Sequence, residues 1–141
     1  MILAQHSVVT SVEKHKLWNA LSDIHTWPAW DTQLAYIRLN GHQKRVEAGA
    51  QGVLKPKKGP QTTIVITRVV PLQSVEMEAK FPLARLVFVQ KLDEIAGATR
   101  VMQTVSMKGP LGWFFGLMLR RGIRKNLPEI VDNFVTYARK R

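Results

Sequence analysis

Apolar and polar positions follow a strand's period at the start of the chain, then a helix's, then a strand's again through the middle, and a helix's at the end. Ile2 to Thr10 is short and rich in Val, Ile and Thr-type residues, and it stops at Ser11, a residue suited to capping a helix. From Val12 to Ser22, Leu17, Trp18 and Leu21 form one apolar stripe, with Glu13, Lys14 and Lys16 off it. Asp23 to Trp30 (DIHTWPAW) follows. There Pro28 is expected to force Trp27 out of the α region and break any continuous helix, leaving a second short helix or turn.

From Thr32 onward the period is two. In Ser74 to Phe81, Val75, Met77, Ala79 and Phe81 alternate with Ser74, Glu76, Glu78 and Lys80, one face apolar and one wet. Leu86, Phe88, Gln90 and Leu92 alternate likewise in Arg85 to Leu92, and Val101, Gln103, Val105 and Met107 in Thr99 to Lys108, with Met102 the exception on the wet side. Between these two runs, EIAGAT is a connection of hairpin type. Thr62 to Val70 is apolar on both faces, so its phase does not follow from the pattern. KPKKGP, Lys55 to Pro60, reads as a turn or exposed loop.

After Gly109 and Pro110 the residues Leu119, Ile123, Leu127, Ile130, Phe134 and Tyr137 recur every three or four positions, the stripe of one long C-terminal helix. Gly112, Gly116, Gly122 and Pro128 oppose it, the proline by removing a backbone bond and kinking the helix. The predicted order is strand, short helices, about six strands, long helix. An antiparallel sheet with one wet face must cover its apolar face, and only the last helix is long enough to do so. The expectation is an α+β fold, a curved six- to seven-stranded antiparallel sheet wrapped around the C-terminal helix. A cavity between the two is its natural by-product.

The chain has 141 residues and no cysteine, so one domain over residues 1–141 is expected and disulfides or thiolate metal sites are excluded. Its 21 Lys plus Arg against 10 Asp plus Glu leave a formal charge of +11, which favours anionic partners or surfaces. The longest apolar run, PLGWFFGLML, is about half the ~20 residues a bilayer span needs, and MILAQHSVVTS lacks a secretory pattern. A cytoplasmic location is the expectation.

The chain resembles the polyketide cyclase/dehydrase-like branch of the START and birch-pollen-allergen (Bet v 1-type, SRPBCC) superfamily, small helix-grip proteins that enclose hydrophobic ligands. The resemblance covers nearly the whole chain. It rests on VEKHKLWNALSDIHTWPAWD, EAGAQGVLKPKKGP, ITRVVP, FPLARLVFVQKL and ATRVMQTVSMKGPLG in that order. In one respect the chain departs from it: relatives often carry a His in the strands corresponding to Gln90 and Gln103, which counts against acid-base chemistry from those two positions.

Gln90 and Gln103 are the polar side chains on otherwise apolar strand faces, and they lie opposite one another if Glu94 pairs with Thr99. A buried amide left unpaired costs about 1–3 kcal/mol, so the two are expected to bond each other, a water, or a polar group of a ligand. Trp18, Trp27, Trp30, Trp113, Tyr36, Phe81 and Phe88 either line a pocket or form plain core. The ligand-binding set expected is Trp27, Trp30, Tyr36, Met77, Phe81, Phe88, Gln90, Gln103 and Met118. No catalytic residue, metal or cofactor is implied: the four histidines lack ligand spacing, and no nucleophile motif or phosphate loop is present. An inward-facing His6, Arg38 or Arg68 would favour an enzyme. Lys108, Arg120, Arg121, Arg124, Lys125, Arg139, Lys140 and Arg141 concentrate charge around the last helix, beside Trp113, Phe114 and Phe115. Either a solvated face or an interfacial helix on anionic lipid follows, with nucleic acid disfavoured by the absence of any recognised motif. The partner expected first is a small hydrophobic molecule; the alternatives are a polyketide-type cyclase or dehydratase in the same cavity, and a lipid-surface protein.

Overall fold

The computed structural model describes residues Met1–Arg141. Strand β1 (Ile2–Thr10) leads into α1 (Lys14–Ser22), a 3-10 turn (Ile24–Thr26) and α2 (Trp27–Trp30). Six strands follow: β2 (Leu34–Leu39), β3 (Gln51–Pro56), β4 (Thr62–Val70), β5 (Ser74–Phe81), β6 (Ala84–Ile95) and β7 (Ala98–Lys108). The 29-residue α3 (Gly112–Lys140) ends the chain. All seven strands form one antiparallel sheet in the order β1-β7-β6-β5-β4-β3-β2. Register shifts at Ile2/Ala4, Leu34/Tyr36 and Ile66/Arg68 bend it, as bulges do.

The expected α+β sheet-on-helix architecture is the observed one. Glu94 does pair with Thr99, which sets Gln90 opposite Gln103. In β4 the phase is now decided: Ile64 and Ile66 are fully buried, while Thr63 and Thr67 face solvent. The concave face carries these residues with Val75, Met77, Leu92, Val101, Val105 and Met107, closed over by Leu127, Val131, Phe134 and Ala138 of α3.

Three local expectations are corrected. Ser11 does not cap α1: the helix starts after Glu13 with no side-chain cap, because Thr10 Oγ1 accepts from Val12 N–H and turns the chain first. Trp27 adopts φ −58°, ψ −41°, inside the α region despite the following proline. Its burial and the bond from Nε1 to the Leu21 carbonyl at 2.9 Å hold it there, and Pro28 sits in the first turn, where no N–H is needed. Lys55 and Pro56 belong to β3, so the loop is shorter than KPKKGP.

Of the α3 glycines, Gly116 serves packing. A Cβ there would lie 2.7 Å from Met1 Sδ and 3.1 Å from Leu3 Cδ2, so its absence lets the helix approach β1. Pro128 stands inside the helix and removes the donor for the Arg124 carbonyl.

Candidate functional site

Because paired residues of antiparallel strands share a face, the register His6↔Gln103 and Gln103↔Gln90 places three polar residues in one row across the concave side. Gln90 and Gln103 are buried and His6 is half-buried. Of this row, Gln90 and Gln103 line one space beneath α3 and His6 lines another. One is an enclosed void of about 10 Å³, lined by Leu21, Trp30, Gln90, Leu92, Val101, Met102, Gln103, Val131 and Phe134. The other is an open cleft of about 330 Å³ between the start of β1 and the middle of α3, lined by Ile2, Leu3, Ala4, Gln5, His6, Arg124, Leu127 and Pro128. The void is water-sized, while the cleft lies at the lower end of the roughly 300–1,000 Å³ usual for ligand pockets.

Two buried polar atoms on residues of the void have no partner, Gln90 Oε1 and Trp30 Nε1. The Gln103 amide therefore does not donate to Gln90 across the strands, although the register brings them opposite. Such atoms are costly to leave unpaired and mark a place that a donor and acceptor from elsewhere would stabilise. Trp30 is fixed by its ring against Phe134, centroids 4.9 Å apart, and by Trp27 at 5.8 Å.

At the cleft, Arg124 Nε donates to the Leu3 carbonyl at 2.8 Å, which holds the guanidinium beside the bulged part of β1. The carbonyl freed by Pro128 belongs to the same residue. Arg124 and Pro128 were not foreseen as site residues; the proline inside a helical stripe was the signal.

The expected residues divide into two groups. Trp27, Trp30, Met77, Gln90 and Gln103 are buried on the inner side, with Phe88 and Phe81 half-buried against the same core. Phe81 meets Phe115 of α3 at 5.2 Å between centroids. Tyr36 and Met118 do not join them. The bulge in β2 turns Ile37 and Leu39 inward, leaving Tyr36 outside, its hydroxyl bonded to Gln61 and its ring under Arg38 at 4.6 Å. Met118 is 60% exposed on the outer face of α3, since Gly116 and Leu119 take the inner one. Arg38 and Arg68 are exposed as well, so His6 is the one of the three ionisable candidates on the inner row.

Asp31, at the end of α2, was not foreseen. Burial pushes its carboxyl above the ordinary carboxylate range, opposed by the Gln33 N–H at 3.0 Å and by the charge of Lys57.

The sequence profile of the family described as "Polyketide cyclase / dehydrase and lipid transport" matches residues 1–139. The chain belongs to this family. No curated protein matches it in sequence. Among solved structures, a hypothetical protein from Helicobacter pylori superposes with a TM-score of 0.78 at 10% identity, over 96% of this chain and 86% of that one. Ara h 8.0201 gives a TM-score of 0.69 at 12% identity, covering 98% of this chain and 97% of its own. DynU16, described as a putative protein in the dynemicin biosynthetic locus, gives 0.69 at 17% identity over 95% of this chain and 46% of that one. At these identities the likeness is one of fold, and the family sharpens the comparison only to ligand-binding or cyclase/dehydrase-like proteins.

Proposed function

We propose that the protein binds a small hydrophobic or aromatic molecule that carries a hydroxyl or carbonyl group, held between the sheet and α3. The observation that carries this reading is the pair of unpartnered buried atoms, Gln90 Oε1 and Trp30 Nε1, on residues of one void in an apolar interior. A hydroxyl is the group that can give a proton to the first and accept one from the second. The apolar body of the ligand supplies affinity through burial, at about 25 cal/mol per Å². Because the void holds no more than a water, the ligand enters from the cleft along the His6, Gln103, Gln90 row as the helix yields.

Native mass spectrometry of the purified protein, with organic extraction of what co-purifies, tests this. A bound lipophilic species in the wild type that is lost in Gln90→Leu/Gln103→Leu is the expected result. An empty wild type that also fails to take up a hydrophobic dye would overturn it, and the void would then be a site for water alone.

His6 favours a second reading, a polyketide-type cyclase or dehydratase, because it is the ionisable group on that row. Once a ligand is known, His6→Gln separates the two. Retained binding with lost turnover assigns an enzyme, and no turnover by the wild type assigns a carrier.

A further inference from the structure

The first two turns of α3 are apolar on every side. Gly112 and Gly116 are buried and Phe115 half-buried on the inner face, yet the outer face is also apolar: Trp113 is 60% exposed, Phe114 49%, Leu117 59% and Met118 60%. A helix that is apolar all round is normally surrounded by apolar material on all sides. Leu83 extends the patch. Its carbonyl accepts from Leu111 N–H at 2.9 Å, which ties the β5–β6 turn to the start of α3, and its side chain is 68% exposed. Leu83 also holds φ at +53°, in the left-handed region that favours glycine, so an apolar side chain is kept at this tip at a conformational cost.

The next turns of the same outer face change character to Arg121 and Lys125, both exposed, while Arg120 is half-buried and Arg124 reaches into the cleft. Gly112 to Pro128 holds no acidic residue, and neither of these two exposed cations is in an ion pair. Apolar and basic groups are thus arranged in series along the helix axis, their centres about seven residues or ~10 Å apart at the α-helical rise. A partner that fits must be apolar at the tip and anionic about 10 Å further out. This is the profile of a bilayer leaflet with acidic headgroups, into which interfacial side chains sink about 5–10 Å. A second copy through the same face would bring like charges together.

We infer that the amino-terminal end of α3, with Leu83, is a docking surface for an anionic lipid bilayer, inserting Trp113, Phe114, Leu117 and Met118 obliquely while Arg121 and Lys125 meet the headgroups. Docking goes beyond the ligand reading and does not depend on it, since ligand-free vesicles test it and a protein with an empty interior can still dock.

The test is co-sedimentation of the full chain, at about 0.15 M salt, with vesicles of phosphatidylcholine alone or with added phosphatidylserine. Binding is expected only with phosphatidylserine. Trp113→Ser/Leu117→Ser should weaken it by at least about tenfold, and Arg121→Gln/Lys125→Gln by about twenty-five-fold, roughly fivefold for each cation. Nitroxide-labelled lipid should quench tryptophan emission in the wild type and much less in Trp113→Phe. These residues are exposed, so unchanged thermal melting shows that each variant is folded. Three results would overturn the inference: no pelleting, pelleting that Trp113→Ser/Leu117→Ser leaves unchanged, or capture of an acidic amphipathic peptide by a chain that ignores vesicles.

Discussion

At the scale of single residues, the informative groups are polar atoms that the fold buries without a partner or whose charge it disfavours. Gln90 was conspicuous in sequence as an amide in an apolar alternation, and its burial followed from that alternation. Its lack of a bond to Gln103 did not, because register fixes which backbones face each other and not where an amide points. Asp31 illustrates the opposite case. Nothing near it in sequence marks it, and only burial in the tertiary structure desolvates its carboxyl, against the opposing charge of Lys57. Its folded pKa is raised above the unfolded value, so the neutral form suits the fold. The resulting stabilisation is complete below the unfolded pKa, near 3.8, and is lost as pH rises through the raised value. Asp31→Asn, which keeps the oxygen that accepts from Gln33 N–H, should therefore be more stable than the wild type in denaturant titrations at pH 7. The difference should vanish at about pH 3.5; a difference independent of pH would contradict the assignment.

Among the elements, the strands and the long helix were legible because their periodicity is set by which face is buried, and neighbouring residues report that face directly. The exceptions are instructive. Trp27 takes a helical conformation that its proline disfavours because burial and the bond to Leu21 outweigh a preference of the isolated dipeptide. In α3 the apolar stripe ran evenly from Leu119 to Tyr137, but the helix is packed unevenly. Leu127, Ile130, Val131, Phe134, Val135 and Ala138 are buried, whereas the turns before Pro128 rest on two glycines and half-buried Phe115, Leu119 and Ile123. The proline also breaks the backbone ladder between the halves. Hydrogen exchange should accordingly find the amides of residues 116–123 protected about thirtyfold less than those of 130–138, an opening free energy lower by about 2 kcal/mol. Equal protection would remove the freedom that ligand access requires.

Taken whole, the molecule is a curled sheet around one helix, carrying a charge of +11 with few ion pairs to balance it. The three arginine–carboxylate ion pairs, such as Arg100 with Asp93 at 3.0 Å, are at least partly exposed and weak contributors. Self-repulsion outweighs them, so raising salt from about 0.01 to 0.2 M should raise Tm by a few degrees, roughly 1 kcal/mol in stability. A fall in Tm would mean that the surface pairs matter more than the net charge. The sequence by itself determined the element order, the sheet wrapped on the helix and the basic, aromatic start of α3, because each is encoded in alternation, spacing or composition along the chain, while the register that sets Gln90 opposite Gln103 was conditional until the structure supplied it. Only the tertiary structure decided that the interior space is a water-sized void beside an open cleft, that Tyr36 and Met118 face outward, and that Leu83 joins Trp113 at one tip. Volumes and surface patches are made by side chains from distant segments meeting in space, and a small shift in how closely α3 approaches β1 changes them without changing any pattern along the chain.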